Sequence, residues 1–279
     1  KEASKALVEG GIIGDYKYEE FVTKKEEPEV KIEELIIVEC EKEKIKDIED
    51  GARLGEVIAS AVNRVRDLVN GPSNKITPTF LAEYAKEIGI ECEILGLSDI
   101  KRIGMEAIAS VAKGSKEEPK VVVLKWKGEE KKKETIGLIG KGITFDAGGI
   151  SLKDPKKLAE MKMDMAGAAV VIEVMRVVSQ LNFKKNVIAV IPLTENMPDG
   201  GALKPGDIIS SLAKVSIEIV STDAEGRMIL ADAITYAKGL GATALIDIAT
   251  LTGGCTVALG DVASGIFGKD QKLIDKTIE

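Results

Sequence analysis

The chain has 279 residues, enough for one or two α/β domains, and its 44% hydrophobic and 30% charged residues are ordinary for a globular protein. No apolar run nears the ~18 residues that cross a bilayer, so no membrane span is expected, and no targeting leader is read at Lys1. The net charge of −7 sits wholly in residues 1–60, which hold 17 acids and 10 bases; the rest is neutral with no basic stripe, so nucleic acid is not expected as a partner. Histidine is absent, which excludes Ser-His-Asp and Cys-His nucleophiles, histidine general bases and histidine metal ligands. Cys40, Cys92 and Cys255 are far apart, which argues against a disulfide framework or structural zinc site and for a reducing cytoplasmic setting.

Residues 1–50 are charge-dense, with the run Lys24-Lys25-Glu26-Glu27-Pro28-Glu29 ahead of a short apolar stretch from Leu35 to Val38. From Gly51 to Asn70, Leu54, Val57, Ile58, Ala61, Val62, Val65, Leu68 and Val69 keep helical spacing, and Asn70-Gly71-Pro72 stops the helix. A domain boundary near residue 50 follows, with 1–50 as part of an N-terminal domain and linker and 51–279 as a catalytic domain. Thr77-Pro78 opens a helix to about Ile88. β-rich segments are Glu91–Leu95, Lys120–Trp126, Thr135–Ile139, Asn186–Pro192, Val215–Val220 and Ala242–Ile248, with helical stretches at 98–113, 158–181 and 227–240. The charged linker Lys127 to Glu134 suits an exposed hairpin or loop. The alternation predicts an α/β fold with a mixed, largely parallel sheet covered by helices on both faces.

Three segments carry polar residues that these patterns leave unexplained. Gly140-Lys141-Gly142-Ile143-Thr144-Phe145-Asp146-Ala147-Gly148-Gly149 follows a strand, reads as a loop at a sheet end, and fits neither common phosphate-loop spacing. Asp164, in Met161-Lys162-Met163-Asp164-Met165, is placed in the first turn of an apolar helix, where it is either a ligand or an N-cap. In Ser221-Thr222-Asp223-Ala224-Glu225-Gly226-Arg227, an extended backbone would aim Asp223 and Glu225 at one point; an acidic helix start is the rival reading. Four carboxylates with Lys141, Lys153 and Arg227 nearby, and no histidine, suit a pair of divalent ions roughly 3.5–4 Å apart that acidify a shared water for hydrolysis.

Gly140 to Asp146, Gly148 to Lys153, Met161 to Asp164 and Thr222 to Arg227, together with Asn70-Gly71-Pro72, Leu203 to Asp207 and Ala249 to Gly253, resemble the signature segments of the leucyl (cytosol) aminopeptidases, dinuclear metal exopeptidases. The resemblance runs from about residue 50 to the end. It implies a zinc-exopeptidase-like catalytic domain, with Lys141, Asp146, Asp164 and Glu225 on one ion and Asp146, Asp223 and Glu225 on the other. By the same resemblance the ions are Zn or Mn, with Mg or Co as alternatives. Lys141 would ligate as the neutral amine. Lys153 would polarise the scissile carbonyl, and Arg227 would hold a bicarbonate that shuttles protons. Met161, Thr250, Leu251 and Gly253 would line the pocket for the substrate's N-terminal side chain. Peptides with N-terminal Leu or other apolar residues are the implied substrates, and a homo-hexamer the implied assembly of the full-length chain. Ser221 stands where the family usually has Asn, and Lys214-Val215 replaces a Gly-Lys type turn. Family members extend beyond both ends, so the chain is expected to be a fragment. The rival readings are a carboxylate-rich dinuclear metallophosphatase and a non-catalytic DNA-binding accessory protein.

Overall fold

The computed structural model describes residues 1–23, 32–129 and 134–279, so the charge run at 24–29 and most of the charged linker before Glu134 lie outside the described residues. Residues Lys1–Ala249 form one compact unit and Thr250–Glu279 a second. The first is organised by alternation along its strands. In β2 (Lys120–Trp126), Val121 and Val123 enter one apolar cluster while Val122 and Leu124 enter another. Ile188 and Val190 of β5 (Asn186–Asn196) likewise face the first cluster, and Val187, Ala189 and Ile191 the second. Successive side chains point to opposite faces of a strand, so a sheet apolar on both sides must be covered on both.

One face is covered by α4 (Leu97–Ile103), α5 (Glu106–Val111) and α7 (Glu225–Gly239), which bury Ile100, Ile108, Ile229 and Ala233. The other is covered by α2 (Ile45–Asn70), α3 (Pro78–Lys86) and α6 (Ala166–Gln180), which bury Leu68, Leu81, Ile172 and Met175. The α1 helix (Glu2–Gly14) is tied to α2, whose Asn63 donates to the Ile12 carbonyl at 3.0 Å. The remaining strands of the main sheet are β1 (Glu91–Leu95), β3 (Thr135–Gly140), β4 (Gly142–Asp146) and β8 (Ala244–Ile248). Their order is β1-β2-β5-β3-β8, with β4 also on β5. The β1–β2 and β2–β5 pairs are antiparallel; β5–β3, β3–β8 and β5–β4 are parallel. This is the mixed, largely parallel sheet that the alternation predicts.

Local departures have identifiable causes. The helix expected over 98–113 is broken because Gly104 takes a left-handed conformation, φ 92°, and ends α4. The stretch expected at 158–181 begins as a 3₁₀ helix, Pro155–Met163, before α6 starts at Ala166. The expected strand at 215–220 shortens to β7 (Ser216–Glu218), which pairs with β6 (Ile208–Ser210) in a separate hairpin. The expected helix start at Gly51 moves to Ile45, so α2 runs unbroken through position 50. The second unit contains α8 (Gly253–Leu259) and α9 (Gln271–Ile278). Among the described residues no helix is long and apolar enough to cross a membrane.

Candidate metal centre

The site grows out of a kink between two strands. The β3 strand pairs with β5 through Ile139↔Val190, and β4 resumes on the same neighbour at Gly142↔Leu193. Between them the Lys141 N–H donates to the Ile248 carbonyl at the end of β8 (3.0 Å), and the Lys141 carbonyl accepts from Ala168 N at the start of α6 (2.8 Å). The segment expected as a loop is therefore mostly strand, and Asp146 ends β4 opposite Asn196 at the end of β5. Both lie at the carboxyl ends of parallel strands, the usual ligand position of an open α/β sheet.

Asp164 is not in the first turn of α6, and it does not cap that helix. It closes the 3₁₀ helix two residues earlier, the α6 N-cap is Met165, and the Asp164 carbonyl accepts from Ile143 N of β4 at 3.3 Å. Nor are Asp223 and Glu225 on an extended stretch. Residues 222–224 form a 3₁₀ turn started by Ser221, whose hydroxyl accepts from Asp223 N, and Glu225 is the first residue of α7. The two side chains part company: Glu225 is buried, Asp223 partly exposed.

Asp146, Asp164 and Glu225 are all buried, and each offers a carboxylate oxygen within 4.8 Å of the others. Lys141, also buried, places its ammonium 2.7 Å from Asp164 Oδ2 and 3.1 Å from Glu225 Oε1. Lys153 bridges Asp146 Oδ2 at 2.9 Å and Asp223 Oδ1 at 2.5 Å. Asp223 thus joins the group through Lys153. Burial lowers the pKa of both lysines, but the paired carboxylates outweigh it, so both are raised. Burial pushes the Glu225 carboxyl up, helped by Asp146 and opposed by Lys141.

Charge counting makes the fit to a hard cation explicit. Asp146, Asp164, Asp223 and Glu225 carry four negative charges against two positive ones on Lys141 and Lys153, leaving two unbalanced. Converging oxygen donors with net negative charge are what a divalent cation takes. The walls are shaped to match. A Cβ at Gly226 would lie 2.7 Å from Lys141 Cε, and one at Gly149 would lie 2.8 Å from Asn196 Oδ1, so larger residues would enter the cluster.

Arg227 is exposed in the first turn of α7, and Met161 is half-buried on the 3₁₀ helix. Thr250, Leu251 and Gly253 belong to the second unit. Two residues that received no role from the sequence, Asn196 and, in the segment 221–227, Thr222, organise the site. Asn196 donates to Asp146, to the Thr222 carbonyl and to Glu225. Thr222 clasps the loop that carries Lys153: its hydroxyl donates to the Gly148 carbonyl (2.6 Å) and accepts from Ser151 N (2.8 Å), while Ser151 Oγ accepts from Thr222 N (3.2 Å). The polar run Thr194-Glu195-Asn196 on an otherwise apolar strand was the available signal.

Residues 63–279 match the catalytic domain of the cytosol aminopeptidase family. The chain is 43% identical over 282 residues to the probable cytosol aminopeptidase of Bacillus subtilis (strain 168), covering 100% of this chain and 56% of that protein. It is 42% identical over 279 residues to the probable cytosol aminopeptidase of Geobacter sp. (strain M21), covering 98% and 56%. Among solved structures, the bottromycin maturation enzyme BotP in complex with Mn superposes with a TM-score of 0.82 at 34% identity, over 92% of this chain and 54% of that one. The leucine aminopeptidase of Caenorhabditis elegans gives 0.73 at 33% identity, over 75% and 44%. The chain spans about half the length of the curated relatives it matches.

Proposed function

Because the chain belongs to the cytosol aminopeptidase family, we propose that it is part of a metal-dependent aminopeptidase that releases N-terminal amino acids from peptides in the cytosol, apolar ones such as Leu preferred. The observation that carries this reading is the buried trio Asp146, Asp164 and Glu225 with Lys141 between two of them. These four residues would hold one divalent ion, and Asp146, Asp223 and Glu225 a second. Zn and Mn are the first choices, and the Mn complex of BotP supports the second. When bound, such ions supply Lewis acidity and lower the pKa of water.

The chain's own side chains account for the rest. As a ligand Lys141 would act through its neutral amine, so holding a cation would require it to give up the proton that Asp164 and Glu225 favour. The Lys153 ammonium, held by Asp146 and Asp223 on the clasped loop, would stabilise negative charge developing on the scissile carbonyl oxygen. Arg227, exposed at the positive N-terminal end of α7, suits a bound bicarbonate as proton acceptor in a chain without histidine. Met161, half-buried on the 3₁₀ helix, would contact the N-terminal side chain of the substrate.

Residues 1–50 fit part of an N-terminal domain and linker, and 51–279 part of the catalytic domain, with α2 spanning the junction. A hexamer of full-length chains is the proposed assembly, to be read from sedimentation. The test of function is hydrolysis of Leu-p-nitroanilide by the full-length protein, with and without a chelator, beside a phosphate ester. Chelator-sensitive release of nitroaniline with no phosphatase activity is expected. Phosphate release instead would favour a metallophosphatase.

A further inference from the structure

Asn196 is 4% exposed, and its amide nitrogen lies 2.8 Å from Asp146 Oδ1, 3.0 Å from the Thr222 carbonyl oxygen and 3.3 Å from Glu225 Oε2. All three neighbours accept hydrogen bonds and none donates, so only the NH₂ end of the amide satisfies them. Two hydrogens serve three acceptors, and the contact to Glu225 is the longest. The arrangement sorts the carboxylate oxygens. Asp146 turns Oδ1 to Asn196 and to Gly148 N (2.9 Å) and keeps Oδ2 on the Lys153 side. Glu225 turns Oε2 to Asn196 and keeps Oε1 on the Lys141 side. The same amide also bonds the backbone of the turn that delivers Asp223 and Glu225. A neutral double donor behind two buried carboxylates reduces their mutual repulsion without adding a charge that would compete with a cation.

Building on the metal reading of the site, we infer that Asn196 is a positioning residue: it holds Asp146 and Glu225 so that one oxygen of each remains directed at a divalent cation. Partners that orient metal-ligating carboxylates in this way typically contribute about 10- to 100-fold in metal affinity. The end of β5 suits this task because Asn196 is in register with Asp146 on the neighbouring strand.

The experiment is Mn²⁺ titration calorimetry on the 279-residue chain and on Asn196→Ala and Asn196→Leu, with thermal midpoints measured without added metal. Asn196→Leu keeps the number and branching of the side-chain heavy atoms and leaves no cavity, so a cavity cannot explain a result common to both. Ile108→Val, in the core on the α5 side and not itself one of the polar residues of the site, serves as a destabilised control. The expected result is Mn²⁺ binding by the parent chain, affinity lower by about tenfold or more in both Asn196 variants, and parental affinity in the control. Parental affinity in either Asn196 variant overturns the positioning role. A loss of affinity that merely tracks the midpoint in variants and control alike overturns it too. Failure of the parent chain itself to bind Mn²⁺ or Zn²⁺ would instead refute the metal reading, so the two failures are distinguishable.

Discussion

Gly226→Ala sets two effects of opposite sign against each other. Gly226 is the second residue of α7, with no left-handed torsion, so the backbone accepts alanine and the helix should gain about 1 kcal/mol from the better helix former. The added methyl, however, would stand 2.7 Å from Lys141 Cε and 3.0 Å from its Nζ, short of the 3.4 Å at which ordinary contact begins. Lys141 is the end of a flexible chain, yet it is buried and its ammonium is gripped by Asp164 and Glu225. It must move by several tenths of an ångström, and overpacking of that kind costs about 1–3 kcal/mol. The net stability change is therefore small, about 0–2 kcal/mol in the unfavourable direction. Function should respond far more, because a ligand displaced by up to about 1 Å can cost on the order of 10²-fold in rate. Urea unfolding and Mn²⁺ calorimetry on the chain, with peptidase rates on the full-length protein, separate the two. A Gly226→Ala protein with parental Mn²⁺ affinity and rate would show that Lys141 is not where the chemistry is built.

Asp223→Asn and Glu225→Gln should lower bound metal by elemental analysis; Asp223→Asn, at a partly exposed turn, should change stability by no more than about 1 kcal/mol. Lys153→Ala in the full-length enzyme should reduce kcat by about 10²-fold with a smaller change in KM, because the ammonium is aimed at charge that develops during attack; a pure KM effect would mean ground-state binding. Away from the site, Tyr84 donates to Glu173 Oε1 at 2.7 Å, and burial, then this bond, pushes its phenol up to about 12 from 10.0. The folded state then keeps a proton that the unfolded chain releases near pH 10, so this stabilisation is full below pH 10 and lost as pH rises to about 12. Tyr84→Phe should flatten that alkaline decline in unfolding experiments. An unchanged pH profile would remove Tyr84 as its cause.

What could be read from the chain alone was whatever depends on short-range pattern. Lys120–Trp126 alternates into two cores and Gly51 to Asn70 has a helical stripe, because side-chain periodicity reports which faces are buried. The absence of histidine, with acids at element ends, already pointed to carboxylate ligation, and Lys141, Asp146, Asp164 and Glu225 do converge. Tertiary structure decided the remainder. Pro192 reads as the end of a strand, since it cannot donate to a ladder, yet β5 continues to Asn196 because β4 pairs with it beyond the kink at Lys141. That continuation places Asn196 against Asp146, a neighbour 50 positions away that local spacing does not reveal. Asp164 similarly matches an N-cap by its composition and position, but the carbonyl it lends to β4 and the ammonium of Lys141 hold it outside the helix. A carboxylate's role is set by which charges and donors fold around it, and those come from distant parts of the chain.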